Sequence, residues 1–129
     1  MFQPHQNLSD EINRRIIQSE IEGGVDLRRL LPRATLEVTT RNNRYVIVLA
    51  RESEAWIEGH PQFCPEPVLC TIAGSNWGGS MIKSHYLGRG MHMEFHLPGH
   101  IRPIVTSSIV DIRMLSEGKF PTGISRVPN

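Results

Sequence analysis

Residues 68–97, VLCTIAGSNWGGSMIKSHYLGRGMHMEFHL, constrain the fold of this chain more than any other stretch. VLCTIA, MIKSHYL and MHMEFHL each have the length of a short β-strand. Apolar and polar side chains alternate throughout MHMEFHL, and Cys70 alternates with Val68 and Ile72 in VLCTIA, a pattern typical of half-buried β-strands. The glycine-containing segments GSNWGGS and GRG separate the three runs, and glycine supplies the positive φ that tight hairpin turns require. The stretch therefore predicts three consecutive strands joined by two turns.

Four further segments have the same strand character. TLEVTT and RYVIVLA flank an Asn-Asn pair at residues 42–43, and asparagine tolerates the positive φ of a hairpin turn. Residues 55–58 predict another short strand. Residues 103–115 predict the last strand, with the side chains of Val110, Ile112 and Met114 facing the interior.

Residues 8–22 predict an amphipathic α-helix. Asn7 or Ser9 can cap its first turn, and Gly23 and Gly24 follow its last turn. Aliphatic side chains recur at helical spacing and form one stripe, namely Leu8, Ile12, Ile16, Ile17 and Ile21. This stripe is predicted to cover the sheet of its own chain or to pack against a neighbouring subunit.

Length and composition indicate one globular domain. A chain of 129 residues can bury enough surface for a core, and 39% apolar with 21% charged residues is typical of a folded protein. We predict an N-terminal arm with the helix (1–34), a β domain (35–115) and a C-terminal tail (116–129). The expected fold is mainly β, a small antiparallel barrel or roll of about six to seven short strands with one N-terminal amphipathic helix.

The cysteines and the apolar runs bear on the cellular compartment. Cys64 and Cys70 do not form a CxxC motif or a disulfide framework, so reduced thiols are expected. Residues 1–24 lack the apolar run of a secretory signal, and the longest apolar run, Tyr45–Ala50, is too short to span a bilayer. A cytoplasmic protein without a membrane partner is predicted.

The run MHMEFHL contains candidate metal ligands. His92, Glu94 and His96 alternate with apolar residues and therefore share one face of the predicted strand, and His85 on the preceding strand could lie beside them. Imidazole and carboxylate are suitable ligands for zinc, iron or nickel. If these ligands faced an interior site, however, the methionines and the phenylalanine between them would face water. We therefore expect the histidines to face solvent, and we expect no metal or cofactor.

Two other features are candidates for partner binding. Trp77 lies on the GSNWGGS turn, where an indole either folds back over the core or anchors a partner. Residues 27–51 contain a single acid, Glu37, and six arginines, which are Arg28, Arg29, Arg33, Arg41, Arg44 and Arg51. Arg41 and Arg44 flank the predicted hairpin turn and could follow a phosphate backbone. No aromatic residues are interleaved with them, so a nucleic-acid partner is not favoured.

No specific catalytic signature is present. The serines lack a GxSxG elbow, and the GSNWGGS turn lacks the lysine of a phosphate-binding loop. The sequence therefore favours a non-catalytic interaction or assembly module that binds itself or another protein. The candidate contact residues are Trp77, Arg41, Arg44, Ile12 and Ile16. A nucleic-acid-binding barrel using Arg41 and Arg44 is one alternative, and a metal-dependent enzyme using His92, Glu94 and His96 is another.

Overall fold

The computed structural model describes residues 23–118 of the chain. Within this range the strands are β1 Gly24–Asp26, β2 Thr35–Thr40, β3 Arg44–Arg51, β4 Glu54–Glu58, β5 Val68–Asn76, β6 Ile82–Ser84, β7 Tyr86–Gly88, β8 His92–His96 and β9 Ile104–Ser116. The helical element among these residues is a single 3₁₀ turn, Leu27–Arg29, which Asp26 caps by accepting a hydrogen bond from the Arg28 N–H. The predicted helix at residues 8–22 lies outside the described residues.

Six of the strands form a closed antiparallel barrel. Their order is β4-β3-β2-β9-β8-β5, and β5 pairs in turn with β4 to close the cylinder. Closure leaves these six strands without an unpaired edge, which a flat sheet of this size would expose. The mainly β antiparallel barrel predicted from the alternating runs is thus confirmed.

The core of the barrel consists of the alternate residues of each strand. Met93 and Phe95 of β8 are completely buried, as are Ile47 of β3 and Ile57 of β4. The ring of Phe95 meets that of Tyr45 edge to face, with 6.0 Å between their centroids. The predicted inward face of β8 is therefore confirmed, and its intervening side chains are directed away from the core.

The predicted strand MIKSHYL is wrong as a single element. His85 has φ +61° and breaks the run into β6 and β7. Strand β6 pairs with β5, whereas β7 pairs with β1 to form a separate two-stranded ribbon. Residues 81–87 contain neither glycine nor proline, so the sequence gives no breaker signal for the local reversal at His85.

The predicted inward orientation of Val110 is also wrong. Val110 is 47% exposed, while the preceding Ile109 is buried. Thr39 lies opposite Asp111 and Thr40 lies opposite Ile109, so Val110 is the extra residue of a β-bulge. The bulge lies where β9 changes its main partner from β8 to β2, a bend that helps a single long strand to close a small barrel.

Candidate partner-binding surface

The connection between β5 and β6, residues 77–81, presents two large apolar side chains to solvent. We call this connection the Trp77 turn. Trp77 is 72% exposed and Met81 is 83% exposed. The turn begins at Asn76, whose side-chain oxygen accepts a hydrogen bond of 2.7 Å from the Gly78 N–H. Asn76 itself is buried, so the exposed indole is attached to a fixed base.

The indole lies beside the start of β8 and does not enter the core. A Cβ placed on Gly90 would stand 3.1 Å from Cζ3 of Trp77, so the ring covers the glycine backbone closely. Gly90 has φ +84°, a conformation that favours glycine. Of the two interpretations of Trp77, folding back over the core is therefore not what the structure shows.

Arg41 lies at the same end of the barrel as the Trp77 turn. The Arg41 N–H donates to the Ser108 carbonyl at 2.9 Å, and the Gly90 N–H donates to the adjacent Ile109 carbonyl at 2.7 Å. Strand β9 thus separates the β2–β3 turn from the start of β8. Two strand spacings amount to about 10 Å, so the backbone of Arg41 is roughly that far from the glycine under the indole.

The first described residue is also close to this surface. The Gly23 carbonyl accepts a hydrogen bond of 2.6 Å from the Arg89 N–H. Gly90, which lies under the indole of Trp77, is the next residue. The chain segment that precedes Gly23 is therefore attached beside the Trp77 turn.

Arg44 makes a different contact from Arg41. Its guanidinium lies 3.3 Å from Oε2 of Glu37 on the neighbouring strand, although the Arg44 side chain is still 68% exposed. Because the Glu37 carboxylate partly neutralises the charge of Arg44, Arg41 and Arg44 do not form a continuous patch of unpaired positive charge. Exposed ion pairs of this kind contribute little to stability.

The polar face of β8 does not assemble the predicted ligands. Nδ1 of His92 donates to the Thr106 carbonyl at 2.8 Å, and Glu94 accepts a long hydrogen bond of 3.4 Å from Asn76. His96 is exposed. In the described part of the chain, no group of three or more His, Cys, Asp or Glu side chains is placed to hold a metal ion.

The predicted position of His85 beside His92 is wrong. Strand β5 lies between β6 and β8 in the sheet, and His85 follows β6 on the far side of β5. The His85 N–H donates to the Ala73 carbonyl of β5. The GRG turn did not predict the position of His85, because the chain forms β7 and pairs with β1 between His85 and β8.

Both cysteines are free and buried. Burial raises the pKa of the Cys70 thiol to about 12 and also raises the pKa of the Cys64 thiol. A thiol that stays protonated at neutral pH is a poor nucleophile and a poor metal ligand. The Cys64 side chain is 1% exposed and belongs to the hydrophobic core.

A second exposed apolar pair was missed in the sequence. Trp56 of β4 lies opposite Leu69 of β5, and these side chains are 46% and 37% exposed. The signal was present, because Trp56 stands between the core residues Ala55 and Ile57 and must therefore face outward. This pair provides a comparison site for Trp77.

In residues 23–118 we find no helix with the length and apolarity needed to span a bilayer. Comparison of the chain with protein-family models, with curated protein sequences and with solved structures finds no match.

Proposed function

We propose that this chain is a non-catalytic assembly module that associates with itself through the Trp77 turn. The observation that carries the proposal is the exposure of Trp77 and Met81 on a turn with a buried base. Tryptophan, methionine and arginine are enriched at protein interfaces, where a central indole often contributes much of the binding free energy. The backbone of Arg41 lies roughly 10 Å from the glycine under the indole, and its exposed guanidinium adds hydrogen-bond donors to the same end of the barrel.

The predicted N-terminal helix supplies a complementary apolar surface. Its aliphatic stripe, which includes Ile12 and Ile16, requires a cover. A helix of 15 residues is about 22 Å long, roughly twice the distance between the backbones of Arg41 and Gly90, the glycine under the indole. We propose that the stripe of one copy packs on the Trp77 turn of another copy, so that a two-fold axis repeats the contact.

The cysteines support a cytoplasmic location for this module. Both thiols are buried and free, an arrangement that suits a reducing compartment.

The two alternative functions have weaker support. Nucleic-acid binding through Arg41 and Arg44 would gain from unopposed charge, but Glu37 contacts Arg44. Binding of an oligonucleotide at low salt would favour this alternative, and its absence would exclude it. The metal-dependent enzyme would need His92, Glu94 and His96 to converge, whereas His92 is already engaged by the backbone of Thr106.

Sedimentation velocity over a range of protein concentrations tests the proposal. We expect the full chain to associate. Trp77→Ser should raise the dissociation constant by about 30-fold, which corresponds to a loss of about 2 kcal/mol of binding free energy for an interface tryptophan. The double substitution Ile12→Asp and Ile16→Asp should abolish association. Trp56→Ser is the matched control, because it removes the other exposed indole.

Two results would contradict the proposal. One is a mass of 14.6 kDa, that of a single chain, at every concentration. The other is equal weakening by Trp56→Ser and Trp77→Ser, which would place the contact elsewhere or make it non-specific.

A further inference from the structure

A groove lies between the 3₁₀ turn and the end of β3, and four of its eight lining residues are leucines. Its volume is about 310 Å³. Leu27, 2% exposed, is the most deeply buried of its lining residues, and the half-buried Leu30 and Leu31 also line it. We call it the leucine groove. The complete lining is Leu27, Arg28, Leu30, Leu31, Pro32, Leu49, Arg51 and Glu52.

The two arginines of the lining have carboxylate partners. Arg28 pairs with Asp26 at 2.9 Å, and Arg51 lies 3.4 Å from Glu54. Neighbouring carboxylates therefore partly neutralise both guanidinium charges, and we do not expect an anionic ligand in the groove. The leucines favour an apolar side chain instead.

The last described residues lead to the leucine groove. Ser116 lies opposite Thr35 in the sheet. A Cβ on Gly118 would collide with the carbonyl oxygen of Pro32, so the backbone of Gly118 is in direct contact with one of the residues that line the groove. The chain beyond Gly118 therefore starts within one residue's width of the groove.

The residues after Gly118 have suitable chemistry for the groove. Phe120 follows two positions later, within about 7 Å of Gly118 along an extended chain. Pro121 disfavours a helical conformation at Phe120 and favours an extended one. Lys119 has the opposite charge to Glu52, which lies at the groove.

We propose that the leucine groove is a docking site for the C-terminal segment of the same chain, residues 119–122, with Phe120 as the buried anchor. The covalent connection at Gly118 gives this segment a high effective concentration at the groove, which favours it over a segment from another molecule. The docking is independent of self-association through the Trp77 turn, because the groove and that turn involve different strand ends.

Nuclear magnetic resonance of the isotope-labelled full chain tests the proposal. We expect nuclear Overhauser effects between the Phe120 ring and the methyl groups of Leu30 or Leu31. Phe120→Ala should accelerate amide exchange at Arg33 and Leu49 by about tenfold, because both N–H groups make hydrogen bonds next to the groove. Val127→Ala is the matched control and should leave these rates unchanged.

Three outcomes would overturn the proposal. The first is the absence of these Overhauser effects in the full chain. The second is an equal acceleration of amide exchange in the Val127→Ala and Phe120→Ala variants. The third is a nuclear Overhauser effect between Phe120 and Leu30 or Leu31 that appears only between differently labelled molecules. This result would show that the C-terminal segment of a second copy occupies the groove.

Discussion

Replacing Phe95 by alanine tests which face of β8 forms the core. Phe95 is completely buried, and its ring packs edge to face on Tyr45. Truncation removes the apolar contacts of the ring and leaves a cavity that a closed barrel can fill only in part. Losses of about 3–5 kcal/mol are typical of such a change, and we expect a value in this range. His96→Ala, at the next residue on the exposed face, should change the free energy of unfolding by less than about 0.5 kcal/mol.

Urea unfolding followed by circular dichroism measures both variants. With an m-value of about 1–3 kcal/mol/M, the midpoint of Phe95→Ala should fall by at least about 1 M, while that of His96→Ala should not move. A small loss for Phe95→Ala together with a large loss for His96→Ala would show that the strand faces are reversed. The histidines would then line the interior, and this result would favour the metal-dependent enzyme using His92, Glu94 and His96.

Two further predictions concern a surface carboxylate and a buried glycine. The side-chain hydrogen bond from Arg28 is the main cause that lowers the pKa of Asp26 from 3.8 to about 2. The stability that this ionised carboxylate contributes is complete above about pH 4 and is lost as the pH falls toward 2. Arg28→Gln should return the pKa toward 3.8 in a carboxyl titration by nuclear magnetic resonance, and an unchanged value would contradict this cause. Gly74 has φ +141°, and a Cβ there would collide with the Lys83 carbonyl, so Gly74→Ala should lower the free energy of unfolding by about 2 kcal/mol. Gly79→Ala, where a Cβ meets nothing within 4 Å, should have little effect, and similar losses at both glycines would refute the steric argument.

The barrel strands could be predicted because their alternation has a physical cause. Residues such as Ile47, Ile57 and Phe95 recur at every second position, since one face of each strand is buried. The same pattern predicted a barrel or roll, but it did not predict that β4 pairs with β5 to close the barrel. Strand order depends on which faces meet in three dimensions, and a linear pattern does not contain that information.

Local departures from regular strands could not be predicted. The break at His85 and the bulge at Val110 are changes of backbone conformation inside segments whose sequences otherwise resemble continuous strands. Neither position carries glycine or proline, the residues that most often mark such changes. Both errors therefore arose where tertiary packing overrides the local pattern.

The candidate surface was predicted in part. The sequence identified Trp77 and Arg41, because an indole on a turn and an arginine at a hairpin are conspicuous. Their proximity depends on β9, which separates them by two strand spacings, and this required the structure. Met81 was missed, because it was assigned to the predicted strand MIKSHYL, whereas β6 begins only at Ile82 and leaves Met81 in the exposed turn.

Fluorescence quenching of Trp77 measures whether association of the copies covers the indole. The substitution Trp56→Phe leaves Trp77 as the single tryptophan of the chain. With acrylamide as the quencher, we expect ready quenching at low protein concentration, because Trp77 is 72% exposed, and progressively weaker quenching as the concentration and the sedimenting mass rise. Equal quenching at every concentration, while the mass rises, would show that the copies associate without covering Trp77, and self-association through the Trp77 turn would be excluded.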